Sequence, residues 1–272
     1  MRTAKAFLMG FIGCGHMGLA IARGAVIKEY LERYQVCVYD PDPEIKAICK
    51  REGFTIMPNE KEVAEESHIV LLAVTPQKCD EVLDKLAGSK IQTLVSIVTG
   101  VSIAHLQEKL NHVPVIRAMP NTPLQINEGA TALCKSDNCK ADEYDFVYKL
   151  FDSMGVTKTI PEDKMNEMVS VHGSTPAYLY YFIECLLKDI EDRGVDRSAA
   201  RALIVQTFIG AAKLLQREPN RPIQEFIDEV CSKGGTTIEA VTELKNQDLE
   251  MIIHEANEKC INRAKELGSQ NN

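Results

Sequence analysis

Through about position 160, short apolar runs alternate with stretches of helical period; beyond it the alternation ends and each periodic stretch is helical. The first run, 6–12, ends in a cluster of glycines. Further runs fall at 35–40, 69–74, 93–98 and 114–117, with a last strand expected at 156–160. The run Ile69-Val70-Leu71-Leu72-Ala73-Val74 is apolar at every position, so both of its faces are to be buried. Continuous apolar strands separated by helices predict a parallel sheet covered on both sides. Later helices are expected over 162–171, 176–193, 196–217, 223–231, 237–245 and 248–267. Asp196 is a candidate N-cap, and Pro222 suits a first helical position. Positions 199–215 carry Leu203, Ile204, Val205, Phe208, Ile209, Leu214 and Leu215, apolar around much of a helix circumference. Such a helix needs burial on more than one side, which a small helical domain does not supply alone. A homo-oligomer is therefore expected.

The glycine cluster sharpens the first half. The strand runs into Gly13-Cys14-Gly15-His16-Met17-Gly18, which opens a helix at Leu19. In this strand–turn–helix setting Gly13 permits a tight turn, Gly15 lets backbone approach a pyrophosphate, and Gly18 lets helix and strand pack closely. The helix start then offers free N–H groups and a partial positive charge to phosphates. Cys14, His16 and Met17 are expected to contribute backbone rather than chemistry. Asp40 ends the next strand, where it can accept hydrogen bonds from ribose hydroxyls. With Asp42 and Glu44 nearby and no arginine at the strand end, a 2′-phosphate would be repelled, so the residues lean towards NADH over NADPH. Asp40 also opens the Asp40-Pro41-Asp42-Pro43 turn. The expected fold is α/β: an N-terminal Rossmann-like, doubly wound, mainly parallel sheet over 1–160, then an all-helical domain over 161–272.

Composition narrows the classes. The chain has 272 residues and a formal net charge of −8, with no clustered basic face of the kind nucleic acid calls for. No window approaches 18 uninterrupted apolar residues, so no transmembrane helix is expected. The opening segment, 1–5, precedes a short apolar strand without the features of a signal peptide. The 9 cysteines form no C-x-x-C pair, and the 6 histidines do not group with them at metal-ligand spacing. A cytoplasmic protein without a bound metal is expected. The segment 268–272 reads as a polar tail.

Three further stretches carry candidate chemistry. Ala73-Val74-Thr75-Pro76 follows the third long strand, at the carboxyl edge where ligands bind in open α/β sheets. Arg117-Ala118-Met119-Pro120-Asn121-Thr122-Pro123 forms a stiff loop after the fifth. Ser232-Lys233-Gly234-Gly235-Thr236-Thr237-Ile238-Glu239 joins two helices. There Thr236 and Glu239 have the spacing of a capping box, and the two glycines leave backbone N–H groups open at a helix start, a cradle for a carboxylate.

These motifs, with Gly173-Ser174-x-Pro176-Ala177-Tyr178, occur in the order and spacing of pyrroline-5-carboxylate reductases, and the resemblance covers nearly the whole chain. The resemblance implies hydride transfer from NAD(P)H to the C=N bond of L-1-pyrroline-5-carboxylate, giving L-proline, the last step of proline biosynthesis. It implies that Ser232, Gly234, Gly235, Thr236 and Thr237 hold the substrate carboxylate, with Thr237 near the ring nitrogen as the hydrogen-bonding or proton-relay group. Glu218 falls near a family glutamate that reaches the substrate, and Asn59 falls where the family has a cofactor-contacting asparagine. Cofactor contacts are also implied for Ala73, Val74, Thr75, Pro76, Met119 and Asn121. The helical domain is implied to interlock with a second copy in a homodimer that can assemble further. The sequence departs from the family at His172 and Thr175 (in place of serine and glycine), at Lys233 (proline) and at Thr75 (lysine). Alternatives are a reductase of another cyclic imine, a β-hydroxyacid dehydrogenase, and a non-catalytic dinucleotide-binding regulator.

Overall fold

The computed structural model describes residues 5–269; residues 1–4 of the opening segment and 270–272 of the polar tail lie outside it. In chain order the elements are β1 (Phe7–Ile12), α1 (His16–Ile27), β2 (Val36–Tyr39), α2 (Pro43–Arg51), β3 (Thr55–Ile56), α3 (Glu60–Glu66), β4 (Ser67–Leu72), α4 (Pro76–Leu86), β5 (Thr93–Ser96), α5 (Ile103–Lys109) and β6 (Val115–Pro120). There follow β7 (Gly129–Lys135), α6 (Ala141–Asp152), β8 (Gly155–Thr159), α7 (Thr175–Asp192), α8 (Arg197–Arg217), α9 (Ile223–Val230), α10 (Thr236–Asn246) and α11 (Leu249–Ser269). The chain divides into two compact units. One runs to Pro176 and takes back the chain from Cys260; the other is Ala177–Lys259. This division differs from the boundary expected at 160/161.

The first unit is an eight-stranded sheet of order β3-β2-β1-β4-β5-β6-β7-β8. Strand order reverses between β1 and β4, both parallel neighbours, which makes the crevice beyond their carboxyl ends the switch point for ligands. Apolar side chains line both faces. Met9, Phe11, Leu71 and Ile116 pack on one side with Leu19, Ile21 and Phe151. Ile12, Leu72, Leu94 and Val115 pack on the other with Val63, Leu83 and Leu106. Burial on two sides explains the unbroken apolar runs of β1 and β4.

Three features depart from expectation. The two-residue β3 and the seven-residue β7 were not predicted, and β7 runs antiparallel to β6. Segment 162–171 is not an α-helix. It holds a 3₁₀ turn, Glu162–Lys164, and a π turn, Val169–Gly173. Tertiary bonds override its helical pattern. Buried Arg117 on β6 binds Asn166 Oδ1 at 3.0 Å and approaches Glu162 at 3.6 Å, while the Thr175 hydroxyl donates within 2.8 Å of the Ser170 and Val171 carbonyls. Burial lowers the Arg117 pKa, and the neighbouring Glu162 carboxylate works against that shift.

The end of α11 belongs to the first unit because it meets backbone there. A Cβ added at Gly100 would stand 2.4 Å from the Ala264 carbonyl oxygen and 2.7 Å from Gly268 N, and Gly100 also holds φ +83°. The second unit consists of helices joined by short turns, with no strand among its described residues. Asp196 caps α8 as expected, accepting from Ala199 N–H at 2.8 Å, whereas Pro222 stands at the N-cap of α9, one place ahead of the helix. Arg197 on α8 binds Glu184 at 2.6 Å and Glu191 at 3.0 Å, and Phe182 meets Phe208 edge-on at 6.1 Å. These contacts leave much apolar surface uncovered: Leu203 is 71% exposed, and Val205, Ile209, Leu214 and Leu215 are exposed as well. By length and composition α8 could cross a membrane, although it lacks an unbroken apolar run.

Substituting Gly100→Ala adds steric conflict to left-handed strain and is expected to cost roughly 3 kcal/mol or more. Gly88→Ala, with φ +78° but open space around the new methyl, is expected to cost about 1 kcal/mol. Urea unfolding of the two variants beside the parent measures the difference; equal costs would show that the α11 contact does not constrain Gly100.

Candidate active site

The dinucleotide turn is built by backbone proximity. Gly13 N–H donates to the Tyr39 carbonyl at 2.9 Å, and Ala73 N–H donates to the Ile12 carbonyl at 2.8 Å, so the turn is fixed between β2 and β4. Gly13 takes φ +89°, and a Cβ there would stand 2.6 Å from the Ala73 carbonyl oxygen. A Cβ at Gly18 would stand 2.2 Å from the Gly13 carbonyl oxygen. Gly15 differs: a Cβ there would meet nothing within 4 Å. It is the N-cap of α1, with no side chain bonded to the first-turn N–H groups. The turn thus presents a cradle with unclaimed donors at a positive helix end, which fits a pyrophosphate.

Asp40 serves the turn directly. Its Oδ2 accepts from Cys14 N–H at 2.7 Å and its Oδ1 from Asp42 N–H at 2.9 Å. It is 9% exposed, and each carboxylate oxygen has a second lone pair able to accept from a ribose hydroxyl. Both expected roles, turn former and ribose acceptor, are compatible with this geometry. The Cys14 thiol is buried, and a hydrogen bond with Cys49, aided by burial, pushes its pKa up, so it stays neutral. His16 is exposed and Met17 half-buried.

The other expected cofactor residues stand at the same sheet edge or next to it. Thr75 is exposed at the N-cap of α4, with Pro76 in its first turn and no side-chain cap; Ala73 and Val74 are half-buried before it. Asn59 caps α3, its Oδ1 accepting from Glu62 N–H at 2.9 Å. At the end of β6, Met119 and Asn121 are buried. Asn121 accepts from Ala130 N–H at 2.8 Å and donates to the His172 carbonyl at 3.2 Å. The His172 ring in turn donates from Nε2 to the Met119 carbonyl at 2.7 Å. His172 is therefore a bonded member of this edge.

The loop expected to hold a carboxylate lies in the second unit. Its local geometry corrects two expectations. The capping box of Thr236 and Glu239 does not form, because α10 starts one residue early, with Gly235 as an uncapped N-cap in extended conformation. Moreover, Gly235 N–H is not open; it donates to the Ser232 carbonyl at 2.9 Å and closes the turn. The donors offered to an anion are instead those of the first turn of α10, where Thr236 and Thr237 lie. Gly234 holds φ +72° in open space, and Lys233 is exposed.

Glu218 forms the C-cap of α8, half-exposed, with Oε2 3.5 Å from Arg221. Arg221 was not singled out from the sequence. It also binds Glu225 at 3.2 Å and Glu229 at 2.5 Å and lies 4.4 Å from the Phe226 ring centroid. Those carboxylates raise its pKa. The only signal for it in the sequence is the run of acids at 218, 225 and 229 around one arginine.

Comparison with known proteins agrees with both halves. The family described as pyrroline-5-carboxylate reductase dimerisation matches residues 162–267, and one described as NADP oxidoreductase, coenzyme F420-dependent, matches residues 8–100. The pyrroline-5-carboxylate reductase of Escherichia coli (strain K12) is 34% identical over 263 residues, covering 95% of this chain and 97% of its own length. That of Synechocystis is 33% identical, covering 96% and 98%. Among solved structures, the Plasmodium falciparum pyrroline carboxylate reductase with NADP bound superposes with a TM-score of 0.88 at 26% identity, covering 98% of this chain and 100% of that one. Identity above 30% along nearly the full length of both chains leaves no room for a shared domain alone: this chain belongs to the pyrroline-5-carboxylate reductase family.

Proposed function

We propose that this protein reduces the C=N bond of L-1-pyrroline-5-carboxylate to give L-proline, using a nicotinamide dinucleotide. The observation that carries the proposal is the pairing, in one chain, of a glycine turn with an unclaimed helix start and a second glycine loop with another. The first suits a pyrophosphate and the second a carboxylate. The bound dinucleotide supplies the hydride. The chain's own part is to orient and to place charge, because a protonated imine accepts hydride without a strong base. Gly13, Gly15 and Gly18 admit the phosphates; Ala73, Val74, Thr75, Pro76, Met119 and Asn121 line the edge of the sheet. Ser232, Gly234, Gly235, Thr236 and Thr237 form the carboxylate loop. The Thr237 hydroxyl serves the ring nitrogen, and Glu218, held by Arg221, supplies a negative charge favourable to the iminium form.

NADH is the preferred donor in this proposal. Asp40, Asp42 and Glu44 crowd the end of β2 with carboxylates, and a 2′-phosphate there would meet like charge. The helical unit is proposed to form a homodimer through the exposed faces of α7 and α8, with dimers assembling further. That assignment also gives α8 an occupant other than lipid. The protein is placed in the cytoplasm, since six of its cysteines are buried free thiols, the usage of a reducing compartment.

Purified protein mixed with pyrroline-5-carboxylate is expected to consume reduced dinucleotide, followed by its absorbance. Thr237→Ala should lower kcat/KM roughly ten- to hundredfold, Thr237→Ser should retain most of it, and dinucleotide affinity should hold in both. Tight dinucleotide binding without imine-dependent oxidation would instead favour a regulator. Asp40→Asn should move the kcat/KM ratio towards NADPH by about tenfold, or ~1.4 kcal/mol; an unchanged ratio would remove Asp40 as a selector. Sedimentation should show no monomer at working concentration, and a stable monomer would overturn the proposed interface.

A further inference from the structure

The π turn at Val169–Gly173 closes with Ser174 N–H donating five residues back to the Val169 carbonyl at 2.7 Å. Such turns are rare and concentrate at functional sites. This one is held open by the Thr175 hydroxyl, and His172 on it bonds the end of β6. The partner of Nε2 is a carbonyl, which only accepts, so Nε2 carries the proton. The backbone of the same residue accepts from Asn121, giving two bonds of opposite direction between His172 and the residues flanking Pro120. Asn121 is fastened in turn to Ala130 on β7.

The sheet order says which part of the cofactor this edge serves. With the pyrophosphate at the start of α1 and the ribose acceptor at the end of β2, the adenosine half falls on the β1–β2 side of the switch point. The nicotinamide half then falls over β4, β5 and β6, where Met119 and Asn121 stand.

We infer that His172 is a positioning residue for the nicotinamide half of the dinucleotide cleft, acting through the imidazole donor that fixes the Met119 carbonyl and the neighbouring Asn121. This rests on the dinucleotide reading above, though not on the identity of the imine. The histidine spans from the π turn to β6 with a rigid ring and leaves its main-chain carbonyl for Asn121.

Two substitutions in the full-length protein test the role. His172→Gln retains an N–H donor at similar reach; His172→Leu retains bulk and loses the donor. Both keep the carbonyl that Asn121 uses. Three readouts are taken: NADH affinity from the change in its fluorescence on binding, the emission maximum of the bound reduced nicotinamide, and kcat for imine reduction. His172→Leu is expected to lower kcat at least about tenfold, as misplacement of a reacting group does. It should also shift the bound emission, with affinity within about threefold of the parent, and His172→Gln should recover both properties. Parental kcat and emission in His172→Leu would overturn the inference, as would a His172→Gln variant equally impaired at an unchanged thermal midpoint. If His172→Leu does not fold, His172→Asn, whose donor is too short to span the gap, takes its place with the same expectations. A parent protein that binds NADH but does not reduce pyrroline-5-carboxylate would sink the substrate assignment, while the emission readout would still decide the role of His172.

Discussion

The first unit depends on how closely the backbone of α1 approaches the turn that leaves β1. With no Cβ at Gly18, the helix comes near enough that even one methyl group would strike the Gly13 carbonyl. That approach aims the first-turn N–H groups into the crevice at the switch point. Asp40 completes the constraint from the neighbouring strand, because its carboxylate takes N–H groups on both sides, from Cys14 and from Asp42. A residue that reads from the sequence as a ligand contact is thus a brace for the turn, and each of its oxygens keeps a second lone pair. Removing its charge and removing its acceptor atoms are consequently different perturbations.

The second unit is governed by the opposite condition, a shortage of core. Among the described residues, α7 buries Leu187 alone and α8 buries Ala200 alone. At about 25 cal/mol per Å² of apolar surface, so many exposed leucines, isoleucines and aromatic residues represent stabilisation that the single chain leaves unrealised. A region matched by a dimerisation family is where such a shortage is made good by a second copy. The same apolarity lets α8 pass as a membrane helix by composition, which shows how little hydropathy alone separates a bilayer from a partner.

Much of the sheet was legible because β1 and β4 are buried on both faces and carry long apolar stretches, and β5 keeps an apolar centre at Leu94-Val95. β7 escaped because Gly129-Ala130-Thr131-Ala132 is small and mixed in polarity, and its pairing depends on β6 and β8 rather than on its own pattern. Segment 162–171 has helical periodicity, and what prevents the helix lies elsewhere: Arg117 draws Asn166 inward, and the Thr175 hydroxyl takes carbonyls of the preceding turn. The glycine turn of the dinucleotide half was readable residue by residue, since each glycine answers a steric demand. The loop at 232–237 was located, but its donors were misassigned. A shift of one residue in the start of α10 moves Gly235 from open donor to turn closure. Arg221 was missed for a related reason: a cation that holds three carboxylates is visible only when their side chains converge.

Helix starts bring these observations together. Side chains cap α2, α3, α5 and α8, through Asp42, Asn59, Ser102 and Asp196. The starts of α1, α4 and α10, which border the proposed ligand sites, have no side-chain cap. A missing cap does not by itself mark a site, since α6 and α9 lack one as well. At α1 and α10 it coincides with glycine at the N-cap, so no side chain competes for the first-turn donors or shields them. A capping hydroxyl or carboxylate would stabilise each helix by about 1 kcal/mol, yet it would occupy the donors an anion needs. Binding anions through backbone in this way requires neither a lysine nor an arginine at the contact. The side chains of Lys233 and Thr75, which differ from the family pattern, cap neither helix start, so the first-turn donors of α4 and α10 are set by main-chain geometry.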